Sequence, residues 1–108
     1  MRDAVVPFEQ CGARSFSRVS LQKNAPARSG VYGLSDSKSW LFVGEADNIQ
    51  AALSAHLDEG GGRWGGRKPV GFAYEICSGA ERTRRFSQLV WEFRPLFQAN
   101  ARKPELQR

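Results

Sequence analysis

The sequence predicts an α+β domain, with a small three-stranded antiparallel sheet flanked by helices. Two short apolar runs, VYGL and SWLFVG, lie close together in the first half of the chain. A third run, VGFAYEIC, alternates between its two sides as a half-buried strand does. The two longest remaining segments repeat their apolar residues at helical spacing. The predicted order of elements is therefore β-β-α-β-α.

The first two predicted strands form a hairpin. They are separated by the segment SDSK, whose Ser and Asp residues favour turns. Strands joined by so short a connection pair most simply as antiparallel neighbours.

A helix is predicted from Asp47 onward, because the period changes there. Ile49, Leu53, His56 and Leu57 follow the i, i+4, i+7, i+8 rule of one helix face. Asp47 is the expected N-cap, with the residue three positions later completing a capping box. The glycine-rich segment DEGGGRWGGRKP is expected to end this helix and to form a mobile loop.

The second helix is expected to begin near Ala80, after the third strand. Pro95 removes one backbone donor and should kink or restart it. The segment ARKPELQR at the end has little to bury and is expected to fray. The apolar positions of this helix again fit helical spacing: Phe86, Leu89, Val90, Phe93 and Phe97.

The length of 108 residues indicates a single domain. We expect a core over residues 24–100, a lead-in over 1–23 and a tail over 101–108. No stretch reaches the roughly 20 apolar residues needed to span a bilayer, and no secretory signal is apparent. We therefore expect a cytoplasmic chain, with no membrane partner.

Cysteine and histidine spacing gives no sign of a metal site. Cys11, His56 and Cys77 lack the paired short spacings that zinc sites show. We expect reduced thiols and a histidine with a structural role.

The net charge of +5 is concentrated in the second half of the chain. Residues 1–54 carry six Lys/Arg and five Asp/Glu, whereas residues 55–108 carry ten and six. A basic half suits a phosphate-bearing partner such as DNA or RNA, although a solvated basic face without a specific partner fits as well. The candidate phosphate-binding and base-stacking residues are Arg63, Trp64, Arg67, Lys68, Arg82, Arg84 and Arg85.

Three segments together resemble the GIY-YIG nuclease family. Gly30, Val31 and Tyr32 are followed ten residues later by Phe42, Val43 and Gly44. The helix NIQAALSAHL and the segment QLVWEFRPLFQAN then occur in the family's order. The resemblance covers roughly residues 24–100. It implies a central three-stranded antiparallel sheet and metal-assisted hydrolysis of DNA.

The resemblance also implies positions for the catalytic groups, and most of them are changed here. Tyr32 matches the first motif tyrosine, and His56 matches a polar position on the first helix. Phe42 stands where the second tyrosine is expected, Ala52 where an arginine is expected, and Phe86 where a metal-binding glutamate is expected. If this alignment holds, side chains at positions 52 and 86 should project into one cleft beside Tyr32.

Three functions remain open. The first is a domain that has lost catalysis, needs no cofactor and serves as a binding or scaffolding module, with nucleic acid as one candidate partner. The second is a divergent active endonuclease that uses Mg²⁺ or Mn²⁺, Tyr32, His56 and a carboxylate from Glu45 or Glu75. The third is a protein-interaction domain with no nucleic-acid role.

Overall fold

The elements of the structure confirm the predicted class. The computed structural model describes residues 14–36, 39–59, 64, 67–93 and 95–96. Four strands form one antiparallel sheet in the order β1-β4-β2-β3. The three predicted strands are present, and a two-residue strand extends one edge. The elements are β1 (Arg14–Ser15), α1 (Arg18–Asn24), β2 (Gly30–Ser35), β3 (Trp40–Ala46), α2 (Ile49–Glu59), β4 (Gly71–Ile76) and α3 (Gly79–Phe93).

Helix α1 was not predicted from the sequence. It begins after Ser17, whose side-chain oxygen accepts a hydrogen bond from the backbone N–H of Ser20 at 3.2 Å. Leu21 is its one buried residue. A seven-residue helix with a single buried side chain shows no apolar period, so the pattern could not reveal it. It packs against α2.

Helix α2 was predicted correctly, but its N-cap was assigned one residue too early. Asn48 is the cap, since its Oδ1 accepts from the backbone N–H of Ala51 at 2.9 Å. Asp47 instead pairs with Arg82 of α3 at 2.7 Å. Gln50 does not complete a capping box, because its side-chain amide donates to the carbonyl oxygen of Ala25 at 3.0 Å.

Two apolar clusters lie on opposite faces of the sheet, and β2 contributes residues to both. On the side we call the α2 face, Tyr32 and Leu34 belong to a cluster with Leu21 of α1 and Leu53 of α2. On the side we call the α3 face, Val31 belongs to a smaller cluster. Successive residues of a strand point to opposite faces, so β2, β3 and β4 each contribute to both clusters. The buried members of the second cluster are Val31, Val43, Ala73 and Leu89.

Helix α3 begins at Gly79, one residue before the predicted start, and Gly79 has a φ of 60°. Its apolar stripe packs on the α3 face as expected, with Leu89 fully buried. Its position at the centre of the apolar stripe predicts that Phe86 is a buried core residue, whereas in the structure it is half-buried and packs against the cluster. Pro95 follows the last helical residue that is described. Phe97 and the tail lie outside the described residues.

The end of α3 is held against β3. The Phe93 ring stacks on Trp40 with 5.0 Å between ring centroids and 5° between ring planes. The backbone N–H of Leu96 donates to the carbonyl oxygen of Trp40 at 3.1 Å. In the part of the chain that the structure describes, no helix is both long and apolar enough to cross a membrane.

Candidate functional site

The two motif glycines are explained by close approaches to other strands. Gly44 lies opposite Tyr32 in the β2–β3 register, and a Cβ there would collide with the Tyr32 hydroxyl and ring. A Cβ on Gly30 would collide with the backbone carbonyl oxygen of Glu75 in β4. Glycine at these positions therefore lets the Tyr32 ring lie across β3 and lets β2 approach β4.

Tyr32 and His56 form a buried pair on the α2 face. The Tyr32 hydroxyl lies 2.8 Å from Nε2 of His56, and the two residues are 5% and 8% exposed. Nδ1 of His56 lies 3.4 Å from a carboxylate oxygen of Glu59. If the neutral ring carries its proton on Nδ1, facing this carboxylate, then Nε2 accepts a hydrogen bond from the Tyr32 hydroxyl. The structural role expected for His56 fits this arrangement.

Glu59 was missed by the sequence analysis. It lies three residues after His56 on the same helix, a spacing that brings side chains together on a helix surface. The segment DEGGGRWGGRKP was assigned to a loop, whereas α2 extends through Glu59.

Aromatic side chains fill the space around the Tyr32–His56 pair. Phe42 meets the His56 ring edge-on with 5.1 Å between centroids, and Trp64 lies 6.0 Å from the same ring. Trp64 is only 1% exposed and belongs to the core cluster. The prediction that Trp64 offers its ring to a nucleic-acid base is therefore wrong for this conformation, since neither ring face is accessible.

The position of the expected arginine brings no charge to this site. Ala52 is half-buried and packs against the cluster that contains Tyr32, on the face predicted for it. No Lys or Arg occurs in the sequence between Lys38 and Arg63. Helix α2 therefore presents no lysine or arginine to a phosphate at Tyr32.

The two carboxylates considered as metal ligands lie on the face of the sheet opposite to Tyr32. Glu45 of β3 and Glu75 of β4 both pair in register with Val31. Their side chains consequently share the α3 face with the Val31 side chain. Neither can reach the Tyr32 hydroxyl through the sheet.

Two arginines of α3 hold these carboxylates. Arg82 Nε lies 3.1 Å from a carboxylate oxygen of Glu45. Arg85 forms a bidentate salt bridge with Glu75, in which two guanidinium nitrogens lie 2.9 and 2.7 Å from the two carboxylate oxygens. Both side chains are largely buried. A planar guanidinium suits a carboxylate in this geometry. The pairs fasten α3 to the sheet on both sides of Val31.

Two further predicted phosphate-binding cations, Arg84 and Arg67, are also close to carboxylates, and Arg82 has a second carboxylate partner. Arg82 donates to Asp47, and this hydrogen bond is the main reason that the pKa of Arg82 is raised. Arg84 pairs with Glu81 one turn away. Arg67 pairs with Asp36 at 2.6 Å. Lys68 is exposed, and Arg63 lies outside the described residues.

Positions 52 and 86 do not share a cleft, so that expectation is wrong. Ala52 packs with the cluster on the α2 face, whereas Phe86 packs with the cluster on the α3 face. The sequence alignment of motifs gives the order of residues along the chain but not the face of the sheet on which each lies.

The described residues do not fit a divalent cation at Tyr32. Such ions bind several oxygen ligands, mostly carboxylates, and here the tyrosine is surrounded by an imidazole and aromatic rings. Within the described ranges, no group of three or more His, Cys, Asp or Glu side chains is arranged to hold a metal ion.

The sheet order, the helices on both faces and the positions of the two glycine motifs define an α+β domain with a GIY-YIG-like fold. The chain is similar to the GIY-YIG N-terminal endonuclease domain of UvrC from Thermotoga maritima bound to magnesium. The TM-score is 0.60 and the identity 15%, over 77% of this chain and 100% of that one.

Two point mutants of the same domain, each bound to the catalytic divalent cation, give similar agreement. One tyrosine-to-phenylalanine mutant has a TM-score of 0.59 at 16% identity, and the match covers 77% of this chain and 100% of that one. The asparagine-to-alanine mutant has a TM-score of 0.59 at 15% identity and covers 77% and 99%. No protein-family model and no curated protein matches the sequence. At this identity the likeness shows the fold alone.

Proposed function

We propose that this chain is a GIY-YIG-like domain that does not hydrolyse phosphodiesters and serves as a binding or scaffolding module. The observation that carries the proposal is the surroundings of Tyr32. Its hydroxyl is engaged by His56 in a buried aromatic cluster, and Glu45 and Glu75 lie on the other face of the sheet. Phosphodiester hydrolysis needs a cation or metal where charge develops on the phosphate.

The test of this proposal is a cleavage assay on supercoiled plasmid with Mg²⁺ and Mn²⁺. We expect no nicking by the highly purified protein. Tyr32→Phe is the matched variant, because it removes only the hydroxyl and keeps the ring. Metal-dependent nicking that this variant abolishes would establish the active-endonuclease alternative.

The charge distribution favours a protein over a nucleic acid as the partner of the described surface. Nine Lys/Arg and eight Asp/Glu lie within the described residues, so most of the net charge of +5 lies in the other segments. A nucleic acid would have to displace carboxylates from Arg67, Arg82, Arg84 and Arg85. The fold shared with an endonuclease domain still makes DNA or RNA the first competitor to test.

A binding titration distinguishes the two kinds of partner. Labelled single- and double-stranded DNA and RNA are titrated at about 50 and 200 mM salt, since electrostatic binding weakens steeply over this range. We expect no saturation below roughly 100 μM at the higher salt, the weak end of non-specific binding. Lys68→Glu should change binding no more than Lys23→Glu, a matched exposed cation on α1. Tight binding lost only in Lys68→Glu would establish a nucleic-acid site instead.

A further inference from the structure

Positive charge without a carboxylate partner is concentrated around α1. Five of the nine described Lys/Arg side chains form ion pairs with carboxylates, and they are Arg18, Arg67, Arg82, Arg84 and Arg85. The other four are exposed and have no such pair within the described ranges, and they are Arg14, Lys23, Arg28 and Lys68. Three of these four lie in or beside α1. The unpaired cations therefore lie mainly in the first half of the chain, although the sequence as a whole is more basic in the second half.

The elements around α1 supply no carboxylate to neutralise these cations. Residues 10–35 contain four Lys/Arg and no Asp/Glu. Helix α2, which packs against α1, has no Asp or Glu before Asp58. Asp58 pairs with Arg18, and Glu59 faces His56. The exposed surface around α1 consequently carries charge of one sign.

Hydrogen bonds hold the three cations in one region. Arg14 donates from Nη1 to Oδ1 of Asn24 at 3.4 Å, so its guanidinium lies at the end of α1, beside the residue that follows Lys23. Arg28 follows Asn24 by four residues, a separation of at most about 14 Å. The carbonyl oxygen of Arg28 accepts a hydrogen bond from the backbone N–H of Ile49 at 2.9 Å, which fixes this segment to the start of α2.

An exposed aliphatic side chain lies on the same face of α1 as Lys23. Val19 and Lys23 are each two residues away from the buried Leu21, about 200° around the helix, so both point away from the core. Val19 is 62% exposed, the largest fraction for a large apolar side chain within the described residues. We call Arg14, Val19, Lys23 and Arg28 together the α1 surface.

We propose that the α1 surface binds an acidic segment of a partner protein, in which aliphatic side chains are interspersed among carboxylates. This proposal rests on the proposed function of a binding module, and it names the surface and the chemistry of the partner. Carboxylates of the partner pair with Arg14, Lys23 and Arg28, and an aliphatic side chain of the partner covers Val19. Complementary charge of this kind steers association and fixes the orientation of the two proteins.

A nucleic acid fits the same surface less well. A phosphate backbone satisfies the cations, but it offers no aliphatic group to Val19. Proteins that bind single strands stack the bases on aromatic rings, whereas every aromatic side chain within the described residues is buried or half-buried. An acidic peptide therefore uses more of the α1 surface than a nucleic acid does.

NMR titration of the isotope-labelled protein with synthetic peptides tests the proposal. The probe is a short peptide of glutamates with interspersed leucines. Two control peptides replace either the glutamates by lysines or the leucines by serines. At about 50 mM salt we expect saturating shifts around the α1 surface, with a dissociation constant on the order of 100 μM for so small a contact. Binding should weaken at about 200 mM salt, because exposed charges are then screened more strongly. The lysine peptide should not bind, and the serine peptide should bind more weakly.

Charge reversals locate the site. Lys23→Glu and Arg28→Glu should each weaken binding at least about threefold, because a carboxylate then faces the acidic peptide. Arg28 lies outside the helix, so its variant tests the surface even if Lys23→Glu disturbs α1. Arg84→Glu makes the same change of charge on α3, on the other face of the sheet, and should leave binding unchanged. Val19→Ser should weaken binding of the leucine peptide but not of the serine peptide.

Three outcomes would overturn the proposal. They are the absence of saturation by the acidic peptide, equal effects of Lys23→Glu and Arg84→Glu, and tighter binding of an oligothymidylate than of the acidic peptide. The nicking assay described above has a different readout. A failure of the α1 surface to bind is therefore distinguishable from a failure of the proposed loss of catalysis.

Discussion

The Tyr32 hydroxyl lies 2.8 Å from Nε2 of His56 inside an aromatic cluster, where both side chains are buried. A tyrosine that exchanges a proton with a substrate has to be accessible to that substrate. Here its hydrogen-bonding capacity is used within the core, and Phe42 and Trp64 pack around the imidazole. The polar atoms of this pair therefore lie within the packed interior of the domain.

The Tyr32–His56 hydrogen bond should contribute measurably to folding stability. Tyr32→Phe leaves a buried imidazole nitrogen without its partner and should cost about 1–3 kcal/mol in unfolding free energy. His56→Phe in the same cluster gives the second single variant. Urea denaturation of both and of the double variant should show a coupling of about 1 kcal/mol. Fully additive costs would mean that the hydrogen bond does not stabilise the fold.

The close approach of Tyr32 to Gly44 predicts a coupled pair of substitutions. Gly44→Ala should destabilise the domain, because its new Cβ collides with the Tyr32 ring. In a Tyr32→Ala background the ring is absent, so the same substitution should cost much less. Gly30→Ala is the matched control. Its Cβ collides with the backbone oxygen of Glu75, and the Tyr32→Ala background should not relieve it. Equal relief of both glycine variants, measured by thermal melts, would contradict this explanation.

Trp64 is predicted to be a stability residue. Trp64→Ala should cost about 3–5 kcal/mol, as large-to-small changes in a core do. Leu96→Ala serves as the comparison, because Leu96 is an exposed apolar residue and should cost less than about 0.5 kcal/mol. Denaturant titration measures both. If Trp64→Ala lowers the unfolding free energy no more than Leu96→Ala does, Trp64 is not a core residue and lies at the surface, as its Gly and Arg neighbours in the sequence suggest.

The thiol of Cys77 should react slowly at neutral pH. Burial, followed by the nearby carboxylates of Glu75 and Glu81, raises its pKa above the usual value for a cysteine. In a Cys11→Ser variant, the rate of alkylation by iodoacetamide should therefore rise at a higher pH than that of a free thiol. The raised pKa also has a consequence for stability. The folded state favours the protonated thiol, which contributes to the free energy of unfolding. This contribution is fully present at neutral pH and is lost as the pH rises through the pKa that Cys77 has in the folded state.

Local patterns were sufficient to predict most of the sheet and its two glycine motifs. The strand around Tyr32, the period of α2 and the start of α3 each depend on residues close together in sequence. The sequence could not show that Glu45 and Glu75 both lie beside Val31, since this depends on the register of three strands and on the irregularity after Leu34. A shift of one residue would move every side chain to the other face.

Two of the errors share a physical cause, which is contact between distant segments. Trp64 lies among glycines and arginines in the sequence, and only packing against Phe42 and His56 makes it a core residue. Arg82 and Arg85 were interpreted as free charge because their carboxylate partners lie on other elements. Glu45 is 37 residues away from Arg82 along the chain.

The opposite placement of Ala52 and Phe86 predicts that restoring the expected residue types will not rebuild a metal site. Ala52→Arg places a cation on the α2 face, whereas Phe86→Glu places a carboxylate on the α3 face. Since the sheet separates the two positions, the stability costs of the single variants should add within about 0.5 kcal/mol in the double variant. NMR titration with Mg²⁺ should produce no saturating shift at Tyr32. A single metal site that requires both substitutions, or a strong coupling between their stability costs, would show that the two side chains meet after all.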